Sequence, residues 1–458
     1  MPGFQVIFRS MPKLNRTQRI GLWLALGLAL RILLIVFPRS LDDDTAVYAE
    51  LGHNLLHHHV YGLANEAGVI IPSLFRLPGY PLFLAVFGGN LRVVELVQSA
   101  LDLFGCWLLA SAVRMRIGDR AAEWTLALGS LCLFTAAYAA TALTESLSVF
   151  AVCCGIYGFA RWSMEKTVRW IVCMAGAAAL AMLLRPDGAL LLAALLCTVL
   201  SASLPAMRRG FRDAALLLVL VCAPLSIWAA RNYATFHVFQ PLAPRHVNDP
   251  GERVNLGFYR WLRTWSVEFV TTGNVFWSVG SDELNIDDLP PRAFDSPQQR
   301  RQTEELFNLY NAQQHQVDAT LDAQFAALAS QRIREHPLRY CVTVPLRRIA
   351  DMLLRPRTET YNLDAFWWRV GEHPWQSIAA IALGLVNFAY MFAAFCGLVR
   401  WRVPFGMVLG SYFVLRCVLL GTLENPEPRY SLELYPVVLI AAASLAQRPC
   451  STTRAIAP

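Results

Sequence analysis

Residues 20–37, with the sequence IGLWLALGLALRILLIVF, decide the fold class of this chain. The stretch is apolar except for Arg31 and is long enough to cross a bilayer. Acidic residues follow it closely, since residues 42–51 read DDDTAVYAEL. An acidic cluster at the mouth of a membrane-spanning helix repels anionic lipid headgroups, so a purely structural loop has little use for it. A carboxylate at that boundary can instead accept a proton from a hydroxyl, which makes the cluster the first candidate for chemistry.

The composition indicates a polytopic membrane protein. Of the 458 residues 55% are hydrophobic and 16% are charged, against about 25% charged residues in soluble proteins, and the mean hydropathy is +0.40. The net charge of +7 is carried almost wholly by arginine, mostly at the ends of apolar segments, which argues against nucleic-acid binding. Arginine pairs bidentately with phosphate, so lipid headgroups and lipid phosphates are the favoured anionic partners.

The predicted fold is all-α, with about ten transmembrane helices and two large outer loops. Basic residues mark the cytoplasmic turns and put both termini in the cytoplasm. We expect an N-terminal module over residues 1–230 that contains the first outer loop at 38–91. The second outer loop then covers 231–375, C-terminal helices cover 376–446, and a tail covers 447–458. The predicted spans are 20–37, 92–113, 121–140, 144–161, 169–184, 188–204, 214–230, 376–399, 403–421 and 431–446.

Both outer loops are expected to carry helices that lie near the membrane surface. The first loop predicts an interface helix over 45–58 and a short juxtamembrane or re-entrant helix over 77–88. The second loop predicts a long polar helix over 298–334 and a surface segment over 338–354. An aromatic run suited to the membrane interface is formed by Trp261, Trp265, Phe269, Phe276 and Trp277.

Two outer-loop residues stand out, each with a structural alternative. Asp44 and Tyr48 are four residues apart and share a helical face, but Asp44 can equally be the N-cap of a helix that begins at Thr45. Arg76 heads an apolar interface segment on the same outer side. It can bind a lipid phosphate, or it can simply extend its charged end to the headgroups.

The ordered motifs resemble the GT-C glycosyltransferases, in particular the bacterial group similar to protein O-mannosyltransferases and aminoarabinose transferases. The resemblance runs over most of the chain. It is carried by Asp44-x-x-x-Tyr48-Ala49, Asn54-Leu55-Leu56, Tyr61-Gly62, Arg76-x-Pro78-x-Tyr80-Pro81, Thr144-Glu145, Arg185-Pro186-Asp187-Gly188, Trp228-Ala229-Ala230-Arg231-Asn232, Glu335-His336-Pro337, Arg429-Tyr430 and Tyr435-Pro436.

The resemblance implies a polyprenyl-phosphate-sugar donor and an inverting sugar transfer in the outer compartment. It places the general base at Asp44 and the donor-phosphate contact at Arg76. Thr45 stands where the family often has a second acid, so Asp43 is the candidate for that role. The remaining candidate substrate contacts are Tyr48, Tyr80, Glu145, Arg185, Arg231 and Arg429.

Other polar residues leave alternatives open. Arg31 lies inside the first span, where a charge is either buried in the bundle and functional or extends to the outer interface. Glu145 can contact substrate or cap its helix. Arg185, Arg231 and Arg429, each at an outer span end, can bind phosphate or anchor in headgroups. His53 and residues 57–59 could bind a metal, although consecutive histidines on a helix cannot all face one ion.

The leading function is transfer of a sugar to a lipid, glycan or protein of the cell envelope by an enzyme of the inner or plasma membrane. The sequence identifies no certain cofactor, and a divalent cation remains an open alternative. A glycan polymerase or ligase that uses lipid carriers shares the donor chemistry. A transporter without chemistry would show polar breaks near mid-membrane and repeated halves, whereas the polar residues here collect on one outer face. The sequence leaves the oligomeric state unspecified.

Overall fold

Helices dominate this protein. The computed structural model describes residues 15–37, 43–203, 207–361, 363–400 and 403–447, with only the backbone described at residue 43. The described chain contains eighteen α-helices and one two-stranded sheet, which confirms the predicted fold class.

The elements follow one another in this order: α1 Arg16–Val36, α2 Asp43–His58, β1 Gly62–Ala64, β2 Ile70–Pro72, α3 Gly79–Val86, α4 Leu91–Arg116, α5 Asp119–Ser130, α6 Leu133–Ala139, α7 Thr144–Glu165, α8 Val168–Leu184, α9 Ala189–Ser201, α10 Met207–Phe236, α11 Leu256–Arg263, α12 Phe269–Ser278, α13 Pro297–Ala312, α14 Ala319–Glu335, α15 Val344–Leu354, α16 Pro374–Arg400, α17 Gly406–Gly421 and α18 Tyr435–Ala443.

The predicted spans fall mostly on helices, although their ends differ and the span over 121–140 is divided between two helices. Among the described residues, five helices, α1, α4, α7, α10 and α16, are long and apolar enough to cross a membrane, and α8, α9 and α17 are shorter apolar helices. The protein is therefore integral to the membrane. The helices α7 and α8 make the most extensive contact of the bundle, and α4 packs against α7 on its other side.

The predicted span over 121–140 is wrong as a single helix, because the chain breaks between α5 and α6. Arg31 from α1 supplies the reason. Its Nη1 donates to the Ser130 carbonyl at 2.8 Å, which in a continuous helix would accept from the amide four residues later. Gly27 permits this approach, since a Cβ there would lie 2.9 Å from the same carbonyl oxygen.

Arg31 is buried in the bundle and does not extend to the outer interface. Its side chain is fully inaccessible and pairs with Asp102 of α4, which is itself buried. Arg31 Nη1 also donates to the Gly27 carbonyl at 2.8 Å. A buried ion pair of this kind keeps its charges only when further hydrogen bonds satisfy them, as the two carbonyls do here.

The last helical segment is enclosed by the rest of the bundle. Pro428–Leu434 is a 3₁₀ helix that continues into α18, and almost every side chain from residue 431 to 444 is buried. Gly397 of α16 allows α18 to approach closely, because a Cβ at Gly397 would lie 1.9 Å from the carbonyl oxygen of Ala441 in α18. Any side chain at this position would therefore force the two helices apart.

The segment predicted as the first outer loop forms two helices and a hairpin over its described residues, from 43 to 91. The helix α2 begins at Asp43, so Asp44 lies within its first turn and is not the N-cap. The strands β1 and β2 pair antiparallel, and this short hairpin is absent from the sequence prediction. The predicted segment 77–88 forms the eight-residue helix α3, which packs on α2 where Gly52 meets the Pro81 carbonyl.

The second outer loop has a hydrophobic core of its own, which corrects the predicted aromatic interface. Trp261 and Trp265 are at most 1% exposed and pack against Phe307 and Phe325, whereas Trp277 is 60% exposed. The predicted long helix over 298–334 is two helices, α13 and α14. Gln314 and His315 adopt positive φ between them, which no helix interior tolerates.

Candidate active site

Two arginines from distant parts of the chain hold the carboxylate of Asp44. Arg76 pairs with one oxygen, and Nη1 of Arg429 lies 3.0 Å from the other. The carboxylate is about one-fifth exposed and lies at the beginning of α2. The structure therefore brings together three of the residues that the sequence singles out.

Local contacts fix Asp44 and Arg76 in place. The Thr45 hydroxyl donates to the Ala142 carbonyl at 3.0 Å, which ties the start of α2 to the turn before α7. The Tyr61 hydroxyl lies 3.1 Å from the carbonyl oxygens of Arg76 and Leu77. The Arg76 guanidinium also lies over the Tyr48 ring, 5.5 Å from its centre, as a cation does over an aromatic face.

Arg429 joins the site from the 3₁₀ segment Pro428–Leu434. It pairs with Glu427, and its Nε lies 3.8 Å from Oε1 of Glu145. The same oxygen accepts from Nη1 of Arg185 at 2.9 Å. Glu145 and Arg185, both predicted as substrate contacts, thus form the layer beneath Asp44.

The acids of the site differ in proton affinity. Burial raises the pKa of Asp44, but the charges of Arg429 and Arg76 outweigh burial and hold it below its ordinary value. Burial also raises the pKa of Glu427, and there the neighbouring arginine does not compensate, so the pKa stays above its ordinary value. Asp44 is therefore ionised at neutral pH, and opposed shifts of two neighbouring acids are typical of active sites.

A second layer of charge lies deeper in the bundle. Arg416 donates to Asp187 at 2.6 Å and to Glu433 at 2.5 Å, and Asp187 also pairs with Arg185 at 3.3 Å. Arg416, Glu427 and Glu433 are not among the residues predicted from the sequence. A usable signal existed for Arg416, which is a charge inside an apolar span like Arg31.

Two of the predicted substrate contacts, Arg231 and Tyr80, bind other parts of the chain, and the side chain of a third, Asp43, is not described. Arg231 holds the hairpin of the first outer loop, with donation to the Tyr61 and Ser73 carbonyls at 2.7 Å each. The Tyr80 hydroxyl donates to Gln98 at 2.7 Å, while its ring meets the Tyr48 ring edge-on. The side chain of Asp43 lies outside the described residues, so its role stays a prediction.

The alternative of a metal site at the histidines of α2 has no supporting ligand cluster in the part of the chain that the structure describes. There, no group of three or more histidine, cysteine, aspartate or glutamate side chains is arranged to hold an ion. His53 and His57 lie one turn apart on α2 with their ring centres 4.4 Å from each other.

A known protein family matches part of the N-terminal half of the chain. Residues 80–228 match the family model of dolichyl-phosphate-mannose-protein mannosyltransferases. This match confirms the predicted resemblance to GT-C glycosyltransferases. It covers about a third of the chain and includes Glu145 and Arg185, while Asp44, Arg76 and Arg429 lie outside it.

Solved structures are more distant. The chain is similar to ArnT from Cupriavidus metallidurans bound to undecaprenyl phosphate, with 13% identity, a TM-score of 0.42, and coverage of 93% of this chain and 77% of that one. The apo state of the same enzyme gives 14% identity and a TM-score of 0.38 at the same coverage. No curated protein matches the chain.

Proposed function

We propose that the protein transfers a sugar from a polyprenyl-phosphate donor to a hydroxyl group of an envelope acceptor, with inversion, on the outer face of the membrane. The observation that carries the proposal is the carboxylate of Asp44 held between Arg76 and Arg429. A carboxylate and two guanidinium groups are the parts that such a transfer needs. The family match over residues 80–228 supports the same chemistry.

Each part has a distinct task in the reaction. Asp44 accepts the proton of the acceptor hydroxyl as that oxygen attacks the anomeric carbon. The bond from this carbon to the phosphate oxygen breaks, and the electron pair leaves with the lipid phosphate. Arg76 and Arg429 stabilise the charge that develops there, because guanidinium groups pair with phosphate through two parallel hydrogen bonds. A single displacement of this kind inverts the anomeric centre.

The proposal is tested by the fate of the lipid-linked sugar. In cells that lack the protein, we expect the polyprenyl-phosphate-sugar to accumulate and an envelope glycan or glycolipid to lose one sugar, both measured by mass spectrometry. Complementation with the wild-type chain restores the sugar. A transporter gives a different result, because the sugar–phosphate bond stays intact and purified protein in nanodiscs then releases no polyprenyl phosphate.

The outer location of the site gives a separate prediction, motivated by the arginine alternation. In a chain with all cysteines replaced, Gln298→Cys should react with a membrane-impermeant thiol reagent in intact cells. Met164→Cys, an exposed position in a predicted cytoplasmic turn, should react only after lysis. The reverse pattern would overturn both the topology and the outer site.

A further inference from the structure

Both carboxylate oxygens of Asp44 are paired with arginine side chains. One carboxylate oxygen of Asp44 meets Arg76 and the other lies 3.0 Å from Nη1 of Arg429. A general base must present a lone pair to the proton that it accepts. Two charge-assisted contacts also lower the proton affinity of a carboxylate. In this arrangement both oxygens of Asp44 are paired, and its proton affinity is lower than that of an unpaired carboxylate.

The two arginines differ in what else they contact. Arg429 also pairs with Glu427 and lies near Glu145, so it keeps carboxylate partners when Asp44 is withdrawn. For Arg76, Asp44 is the single ion-pair partner within the described chain. The buried Nε of Arg76 makes no hydrogen bond to any described residue. Arg76 thus has unused donor capacity and one partner to exchange.

Resting on the proposed function, we infer that the donor phosphate and Asp44 compete for Arg76, and that binding of the donor releases Asp44 to act as the base. The phosphate takes the donors of Arg76, including the unused Nε, through a charge-assisted pair of the kind that guanidinium favours. Asp44 then loses one neutralising contact and acquires a neighbouring negative charge. Both changes favour its protonated form and make it a stronger base.

The exchange at Arg76 gives a complete reaction cycle in which the total charge of Asp44 and the donor phosphate is conserved. Before transfer, the Asp44 carboxylate and the donor phosphodiester carry one negative charge each. After transfer, Asp44 holds the acceptor proton and the lipid phosphate carries both charges. Once Asp44 loses that proton to water, its carboxylate can pair with Arg76 again and displace the lipid phosphate. Donor binding therefore precedes productive binding of the acceptor.

The inference predicts that removal of the catalytic carboxylate tightens binding of the lipid phosphate. Undecaprenyl phosphate is the probe, titrated against purified protein in nanodiscs by microscale thermophoresis, with undecaprenol as the uncharged reference. Asp44→Asn should bind the probe about tenfold more tightly than wild type, because Arg76 can then form a charge-assisted hydrogen bond to the phosphate without first giving up a carboxylate. Asp44→Glu, which retains the charge, should show no such increase in affinity. Asp44→Ala repeats the test if the asparagine variant folds poorly.

A double-mutant cycle separates exchange at Arg76 from general charge repulsion. The increase in affinity caused by Asp44→Asn should shrink to about twofold or less in an Arg76→Ala background, because the shared partner is gone. Glu66→Gln removes one exposed charge from the same outer loop and should leave affinity unchanged. An equal increase in both backgrounds, or no increase in either, would overturn the exchange while the proposed function stands. Absence of saturable binding to the wild type, beyond that of undecaprenol, would overturn the proposed function as well.

Discussion

Replacement of Asp44 by asparagine will lower the rate of sugar transfer by about 10²-fold or more. A positioned general base typically contributes 10²–10⁴ to the rate, and the asparagine side chain accepts no proton at neutral pH. Asparagine keeps the shape of the side chain, and Arg429 keeps Glu427 as a partner, so we expect the variant to fold and insert normally. Transfer is measured as release of polyprenyl phosphate at equal membrane abundance.

Two matched variants make the Asp44 result specific. Glu66→Gln lies on the same loop, is exposed, and should transfer at the wild-type rate. Asp43→Asn removes the adjacent acid of the same helical turn and should be tolerated. Near-normal transfer by Asp44→Asn, combined with a loss in Asp43→Asn, would move the base to Asp43. Near-normal transfer by both variants would remove the base from this helix.

Replacement of Arg31 by methionine will cause a large loss of stability. The change leaves Asp102 as an uncompensated buried charge and the Ser130 carbonyl without its donor. Disruption of one side of a buried pair costs about 3–5 kcal/mol. We expect a clear fall in the thermal unfolding temperature of the detergent-purified protein, followed by tryptophan fluorescence, together with lower yield in the membrane.

The partner substitution provides the control for Arg31. The double variant Arg31→Met/Asp102→Leu removes both charges and should recover most of the lost stability, because no buried charge then remains unpaired. Arg16→Met disrupts an exposed pair with Asp119 in the same helix bundle. Because an exposed pair contributes about 0–1 kcal/mol, this variant should unfold close to the wild-type temperature. A single variant Arg31→Met that unfolds at the wild-type temperature would show that the pair has no stabilising role.

The membrane segments could be predicted from the sequence because a single local property, apolar length, determines them. The same property does not reveal where a helix breaks. The break between α5 and α6 depends on a hydrogen bond from Arg31 to Ser130, residues 99 positions apart. Apolar length alone is blind to such a contact, so the stretch from 121 to 140 is predicted as one span.

The candidate site could be predicted only in part, because some of its residues are close in sequence and others are brought together by folding. Asp44 and Arg76 lie in one outer loop, next to a membrane segment that apolar length alone identifies. Glu427 and Arg416 reach the site only through folding of the C-terminal segments. Trp261 and Trp265 are wrongly predicted at the membrane interface, because the large apolar surface of a tryptophan ring suits an interface and a buried core equally well, and here both rings lie in a core.

Enclosure of the segment from Pro428 to Ala443 has a consequence for biosynthesis. Asp44 and Arg76 are synthesised early, within residues 38–91, whereas Arg429 is synthesised with one of the last helical segments of the chain. A nascent chain that ends before residue 428 therefore lacks one of the two arginines that pair with Asp44, and it also lacks the helix that the rest of the bundle encloses. The site is therefore complete only after the C-terminal segment has been made and packed.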